Sequence, residues 1–152
     1  MSSLPSGRLL LDTGIYIRFS RGDGYEWLSE DASVFQRTIL TAVVAAELYA
    51  GARENREKRA LDRLCRAHLS LGHLVSPPSI SWIQAGILLR RASGTFGHMD
   101  FVHHFRDVLI ALEATREEAT LVTENTRDFE RWRTLLASAN QTLRLFDPSS
   151  TG

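Results

Sequence analysis

The stretch from Arg106 to Phe129 constrains this chain most. Phe101, Phe105, Val108, Leu109 and Leu112 recur at three- and four-residue intervals and form one apolar face of a helix. After the polar break Thr115–Glu118, the run Ala119–Thr123 is short and apolar, which predicts a strand covered on both faces. It ends in Glu124, Asn125 and, three residues on, Asp128. Asp107 borders the buried face of the preceding helix. A carboxylate there, with polar side chains just past the carboxyl end of a buried strand, lies where open α/β sheets place ligand sites.

Other carboxylates reach the same edge. Arg8–Leu11 is a compact apolar run that stops at Asp12, Thr13 and Gly14, a first buried strand with an acid at its end. Asp12 equally suits the cap of a helical turn over Ile15–Phe19, and the residues leave both roles open. Thr38–Leu40 reads as a second strand, and Thr41 caps a helix over Ala42–Arg53. On that helix Val43, Val44, Glu47, Leu48 and Gly51 share one side. Glu47 among apolar neighbours is either a solvated edge residue or a ligand. Small Ala50 and Gly51 predict close packing against another element.

The remaining chain supplies the connections. Asn55–Arg59 reads as a solvated loop, followed by an amphipathic helix over Ala60–Leu69. Cys65, His68 and His73 have spacings reminiscent of zinc ligands, but without a second ligand pair core packing is the better account. Leu74–Val75 is a short strand. Pro77–Pro78 precede a helix over Ile80–Ala92 that Ser79 or Ser81 caps, and Gly94, Gly97 and His98 form a loop before a helix capped by Asp100. His103 and His104 read as solvated helix positions. Glu130–Ala137 is a further helix and Thr142–Phe146 an edge strand, between a frayed start over Met1–Gly7 and a polar tail after Pro148. The alternation predicts one domain, residues 1–152, with a mostly parallel sheet between helical layers in an α/β fold.

Four carboxylates, Asp12, Glu47, Asp107 and Asp128, can therefore meet at one edge of the sheet. So crowded, they would take up protons unless a hard divalent cation neutralised them, and Mg²⁺ or Mn²⁺ prefers such oxygen donors. Phosphodiester hydrolysis is the chemistry that follows. With 18 basic and 18 acidic residues the chain has no global positive field, which argues against a simple basic RNA coat protein. Lys58 is the lone Lys, so the basic side chains are Arg, whose forks suit phosphate and carboxylate partners. A single cysteine excludes an internal disulfide, and neither a signal peptide nor an 18-residue apolar run is present, so the sequence predicts a cytoplasmic protein.

At this point LLLDTGIYI, the Thr41–Gly51 segment with ELYAG, RDVLIALEA and LVTENTRDF, in this order over Leu9 to about Phe146, resemble the PIN domains, and among them the VapC-like ribonuclease toxins of toxin–antitoxin pairs. The resemblance implies a three-layer α/β/α domain, a Mg²⁺- or Mn²⁺-dependent ribonuclease acting on RNA, a homodimer, and a VapB-like antitoxin whose peptide enters the site groove in a hetero-oligomer. Asp12, Glu47 and Asp107 match the three acidic ligands of that family. The fourth falls in the slot of Asn125 or of Asp128. Thr13, Thr123 and Asn125 are the expected supporting residues around the metal. An Arg of the antitoxin is expected on the acids, with Phe19 and Trp27 offering apolar surface for its helix. Gly14 departs from the Asn or Ser usual in the family, and Glu124 adds a carboxylate. A nuclease without an antitoxin and a non-cleaving PIN-like binding module are the alternatives.

Overall fold

The computed structural model describes residues 4–150. Five strands form one parallel sheet in the order β3-β2-β1-β4-β5, with β1 Leu9–Leu11, β2 Thr38–Thr41, β3 Leu74–Val75, β4 Thr120–Val122 and β5 Arg144–Phe146. The three middle strands, LLL, TILT and TLV, are buried along their length, as strands covered by helices on both faces must be. β1 pairs β2 on one side and β4 on the other, Leu11 lying opposite Val122. The chain winds outward from β1 through β2 to β3, then returns to β4 and winds the other way. The carboxyl ends of β1 and β4 thus flank the point where the winding reverses, where sheets of this type open a crevice.

The helices are α1 Thr13–Ser20, α2 Trp27–Glu30, α3 Ala32–Gln36, α4 Ala42–Gly51, α5 Asn55–Ser70, α6 Ser79–Phe96, α7 Phe101–Arg116 and α8 Thr126–Ala137. α6, α7 and α8 pack on one another, α7 also against β4 and α8 against β5, while α5 packs on β2 and β3. The second half of α7, from Val108 to Ala114, is buried all round, so this helix runs through the core rather than over it. Asp100 caps it through Val102 N at 3.1 Å and Thr41 caps α4 through Val43 N at 3.3 Å, both as the sequence predicts.

Several expectations need correction. Asn55–Arg59 is not a loop but the first turns of α5, because Arg, Glu and Lys are good helix formers that stay solvated on its outer face. α6 runs through Gly94 to Phe96 and ends at Gly97, whose φ of 91° only glycine adopts without strain. Neither Ser79 nor Ser81 caps α6: Pro78 holds the cap position without a side-chain bond, and Ser81 is buried. The helix expected over Glu130–Ala137 begins at Thr126, which places Asp128 in its first turn. Gly51 is exposed and a Cβ there would meet nothing, so ELYAG marks no close approach. α2 and α3 fall in a stretch with no helical expectation. Leu4–Gly7 is not frayed: Leu4 packs on the core and Arg37 Nη1 donates to the carbonyls of Pro5 and Gly7 at 2.6 Å each. Met1–Ser3 and the end of the polar tail, Thr151–Gly152, lie outside the described residues.

Candidate functional site

Asp12 follows β1 with extended backbone and caps α1, its Oδ1 accepting from Thr13 N at 2.8 Å. Its other oxygen, Oδ2, accepts from Thr123 Oγ1 at 2.9 Å, across the gap between β1 and β4. The capping role and the role at the sheet edge therefore belong to the same side chain. Thr123 is fully buried, and its Oγ1 also accepts from Asn125 N at 3.0 Å, which fixes the turn out of β4. Thr13 Oγ1 donates to Glu47 Oε1 at 2.9 Å, linking α1 to α4. Asn125 Nδ2 donates to Asp128 Oδ2 at 3.0 Å. Each of Thr13, Thr123 and Asn125 thus touches one of the predicted acids.

Three of those acids share one cation. Arg106, next to Asp107 on α7, donates through Nη2 to Asp12 Oδ1 at 2.9 Å, through Nε to Glu47 Oε1 and through Nη1 to Asp107 Oδ1. Nη2 also reaches Thr13 Oγ1 at 3.3 Å. Side-chain exposure rises from 10% at Asp12 and 18% at Asp107 to 34% at Glu47 and 49% at Asp128, so the cluster is a cleft that opens toward α8. Burial pushes the Asp107 carboxyl above the usual carboxylate range. Arg106 opposes this shift, while the charges of Asp12, Asp128 and Glu47 add to it. Burial pulls the Arg106 guanidinium down, but its hydrogen bond to Glu47 and the surrounding carboxylates outweigh it and its pKa is raised.

Asp128 shares the field of this cluster, as its effect on Asp107 shows, without joining the contacts to Arg106. It sits in the first turn of α8, where backbone N–H groups favour a negative charge, and Arg131 Nη2 lies 3.9 Å from its Oδ1. Among the described residues no group of three His, Cys, Asp or Glu side chains is placed to hold a metal ion; the three carboxylates are set around the Arg106 guanidinium instead. Two shallow clefts of about 730 and 750 Å³ lie elsewhere, by Arg133–Leu145 and by Ile80–Arg144, and include none of the four acids.

Arg106 was not legible as a site residue, although a basic residue immediately before Asp107 on a half-buried helix face was the available signal. Glu124 does not join the acids: it accepts from Arg18 Nη1 and Tyr25 Oη, and Arg18 stacks over the Tyr25 ring at 5.4 Å. This anchoring accompanies a left-handed backbone at Tyr25, φ 62°. Gly14 is exposed at the start of α1, and a Cβ there would meet nothing. His68 is buried with Nδ1 3.0 Å from the Leu64 carbonyl and its ring edge-on to Phe35, a core placement. Phe19 and Trp27 are partly buried against the core. Exposed large apolar side chains lie on several helices, Leu69 on α5 and Val102 on α7 among them, and α6 carries three at helical spacing, Ile80, Ile83 and Ile87, 54–59% exposed.

No family model and no curated protein matches the sequence. Solved structures do match over nearly the whole chain. A chain of FitAcB from Neisseria gonorrhoeae is 23% identical with a TM-score of 0.63, covering 93% of this chain and 98% of that one. The chain has this fold. A chain of VapBC2 from Rickettsia felis, bound to a DNA fragment from its promoter, is 22% identical with a TM-score of 0.59 over 91% of this chain and 98% of that one. A chain of DNA-bound VapBC from Salmonella typhimurium is 17% identical with a TM-score of 0.66 over 94% and 99%. The PIN-like α/β/α architecture expected from the sequence is thus the one observed, and VapBC and FitAcB chains share it.

Proposed function

We propose that this chain is a divalent-metal-dependent endoribonuclease, the toxin of a pair in which a second protein restrains it. The observation that carries the proposal is the convergence of Asp12, Glu47 and Asp107, from three separate elements, on one positive charge beside the switch point of the sheet. Carboxylates gathered at a ligand edge require a cation, and an all-oxygen donor set is what Mg²⁺ or Mn²⁺ takes. The all-oxygen donor chemistry fits such an ion, and Asp12, Glu47 and Asp107, now arranged around Arg106 rather than for a metal, would hold it once they close on it, with Asp128 toward the open side. When bound, the ion supplies neutralisation of phosphate charge and a water acidic enough to attack a phosphodiester.

The chain's own groups do the positioning. Thr123 and Thr13 N–H fix both oxygens of Asp12, Thr13 Oγ1 fixes Glu47, and Asn125 aims Asp128. RNA is the substrate this reading gives, reached from the open side of the cleft where Asp128 and Arg131 lie. The apolar stripe Ile80, Ile83 and Ile87 supports partner binding, since exposed contiguous apolar surface marks protein contacts. The FitAcB and VapBC complexes that share the fold support an antitoxin as one partner, and a second copy of the chain is the other. Among the described residues no helix is long and apolar enough to cross a membrane. The proposal places the pair in the cytoplasm.

One observation favours a second reading, a non-cleaving module, because the guanidinium of Arg106 fills the space an ion would take. The two readings separate on one experiment. Purified chain, supplied with Mn²⁺ or Mg²⁺ and a mixed RNA substrate, should cleave it, and Asp107→Asn, nearly identical in volume, should abolish cleavage with its melting temperature in EDTA retained. Undiminished cleavage by Asp107→Asn removes the acid cluster from the mechanism, and an inert wild type leaves the binding module as the account.

A further inference from the structure

The acids hold a cation already, and it belongs to the chain. We propose that Arg106 is a built-in counter-cation that occupies the acid cluster in the absence of a divalent ion and is displaced by it, so that protein guanidinium and metal compete for the same carboxylate oxygens. The inference rests on the metal-dependent reading above and adds to it a residue that sets how tightly the ion binds.

The geometry makes the competition direct. All three guanidinium nitrogens are used, Nε on Glu47, Nη1 on Asp107 and Nη2 on Asp12, and each carboxylate gives one oxygen. Both Asp12 oxygens carry a bond from the fold, Oδ2 from Thr123 Oγ1 and Oδ1 from Thr13 N, and Arg106 takes the remaining acceptor capacity of Oδ1, where an ion would also bind. An ion and a guanidinium on the same oxygens would also repel each other in a half-buried cleft, where like charges are poorly screened. One charge against three leaves the cluster undercompensated, which is why a divalent ion gains more there than Arg106 does. Arg106 is able to leave: its side chain is 30% exposed, and a long flexible side chain moves without rearranging the helix.

Once displaced, the guanidinium stands beside the occupied cleft, and the ligand its fork then suits is a phosphate oxygen of the bound nucleic acid. The exchange would couple loss of the internal ion pairs to arrival of metal and substrate together. A purely structural Arg106 would not behave this way, since its removal would weaken the fold alike with and without metal.

The test is calorimetric titration of Mn²⁺ into the EDTA-stripped full chain, wild type and Arg106→Gln, with melting temperatures in EDTA and in Mn²⁺. Arg106→Gln should bind Mn²⁺ about tenfold more tightly, within the range usual for two ligands coupled at one site. It should also melt lower than wild type in EDTA and gain more from Mn²⁺. Equal or weaker Mn²⁺ affinity in the variant overturns the inference and leaves metal dependence standing, whereas absence of binding in both proteins overturns both. Should Arg106→Gln fail to fold, phenylglyoxal labelling of wild type with peptide mapping decides: Arg106 must become more reactive on adding Mn²⁺, and unchanged or reduced reactivity refutes its displacement.

Discussion

Replacing Thr123 by Val tests whether one hydroxyl at the end of β4 fixes the Asp12 carboxylate at the end of β1. Val has nearly the shape of Thr, so the change removes two hydrogen bonds while leaving the packing of a fully buried position almost unaltered. The first is the donation to Asp12 Oδ2 at 2.9 Å, a bond to a buried charged acceptor contributing about 1.5–3 kcal/mol. The second is acceptance from Asn125 N at 3.0 Å, contributing about 1 kcal/mol. Together they predict a loss of about 2.5–4 kcal/mol, which for a domain of this length lowers Tm by roughly 5–16 °C. The assay is urea unfolding in EDTA, so that metal does not mask the effect. Repeating the substitution in an Asp12→Ala background completes a double-mutant cycle: with the acceptor gone, Thr123→Val should cost only about 1 kcal/mol. A loss below about 0.5 kcal/mol, or an equal loss in both backgrounds, would refute the linkage of Asp12 to Thr123 as the element that fixes the acid.

Three further expectations test other parts of the molecule. Burial raises the Glu113 carboxyl against the opposing hydrogen bonds and charge of Arg116, so the native state holds this proton more tightly than the unfolded chain does. The stabilisation from Glu113 is therefore present below the unfolded carboxylate range and is lost as pH rises through the raised native value; Tm of wild type minus Tm of Glu113→Gln should fall between acid and neutral pH, and a rise in this difference would contradict the assignment. Gly14→Ala places a Cβ where nothing lies within 4 Å and the backbone is helical, so it should stabilise by about 0.5–1 kcal/mol, and a destabilised variant would mean that α1 needs glycine there. Ile83→Asp, at a position 59% exposed, should convert an associating wild type to a folded monomer in sedimentation velocity, with native circular dichroism retained, whereas unchanged association would move the contact off α6.

What the sequence revealed depended on whether the information was local. The strands β1, β2 and β4 were legible because they are short runs of Leu, Ile, Val and β-branched Thr, and Asp12 and Thr41 at their ends are cap residues with a local geometric role. The start of α5 was not legible, since Asn55–Arg59 is fully solvated and carries no apolar period to distinguish a helix from a loop. α2 and α3 are too short for periodicity, although Asp31 caps α3 through Ser33 N at 3.0 Å. In the site, Asp12, Glu47 and Asp107 stood out because each is a carboxylate next to buried apolar residues. Arg106 did not, because its partners Glu47 and Asp12 are 59 and 94 residues away in the chain and only the assembled sheet edge brings them together.

The same distinction bears on the fourth acidic position, which the sequence left between Asn125 and Asp128. The two are not alternatives in space. Asn125 ends the turn that Thr123 holds, and its amide Nδ2 points at Asp128 Oδ2. An amide at position 125 donates to the carboxylate where an acid would repel it, so Asn125 is suited to aim Asp128 rather than to replace it. Starting α8 at Thr126 completes the arrangement, because Asp128 then lies in the first helical turn, where the backbone favours its charge. Asp128 is also the most exposed of the four acids and contributes to the field at Asp107 without touching Arg106. It therefore stands at the mouth of the cleft, able to meet an incoming cation before Arg106 has moved. In the proposed exchange the order of events follows from these positions: the most exposed carboxylate attracts the ion, and the three less exposed ones receive it as the guanidinium leaves.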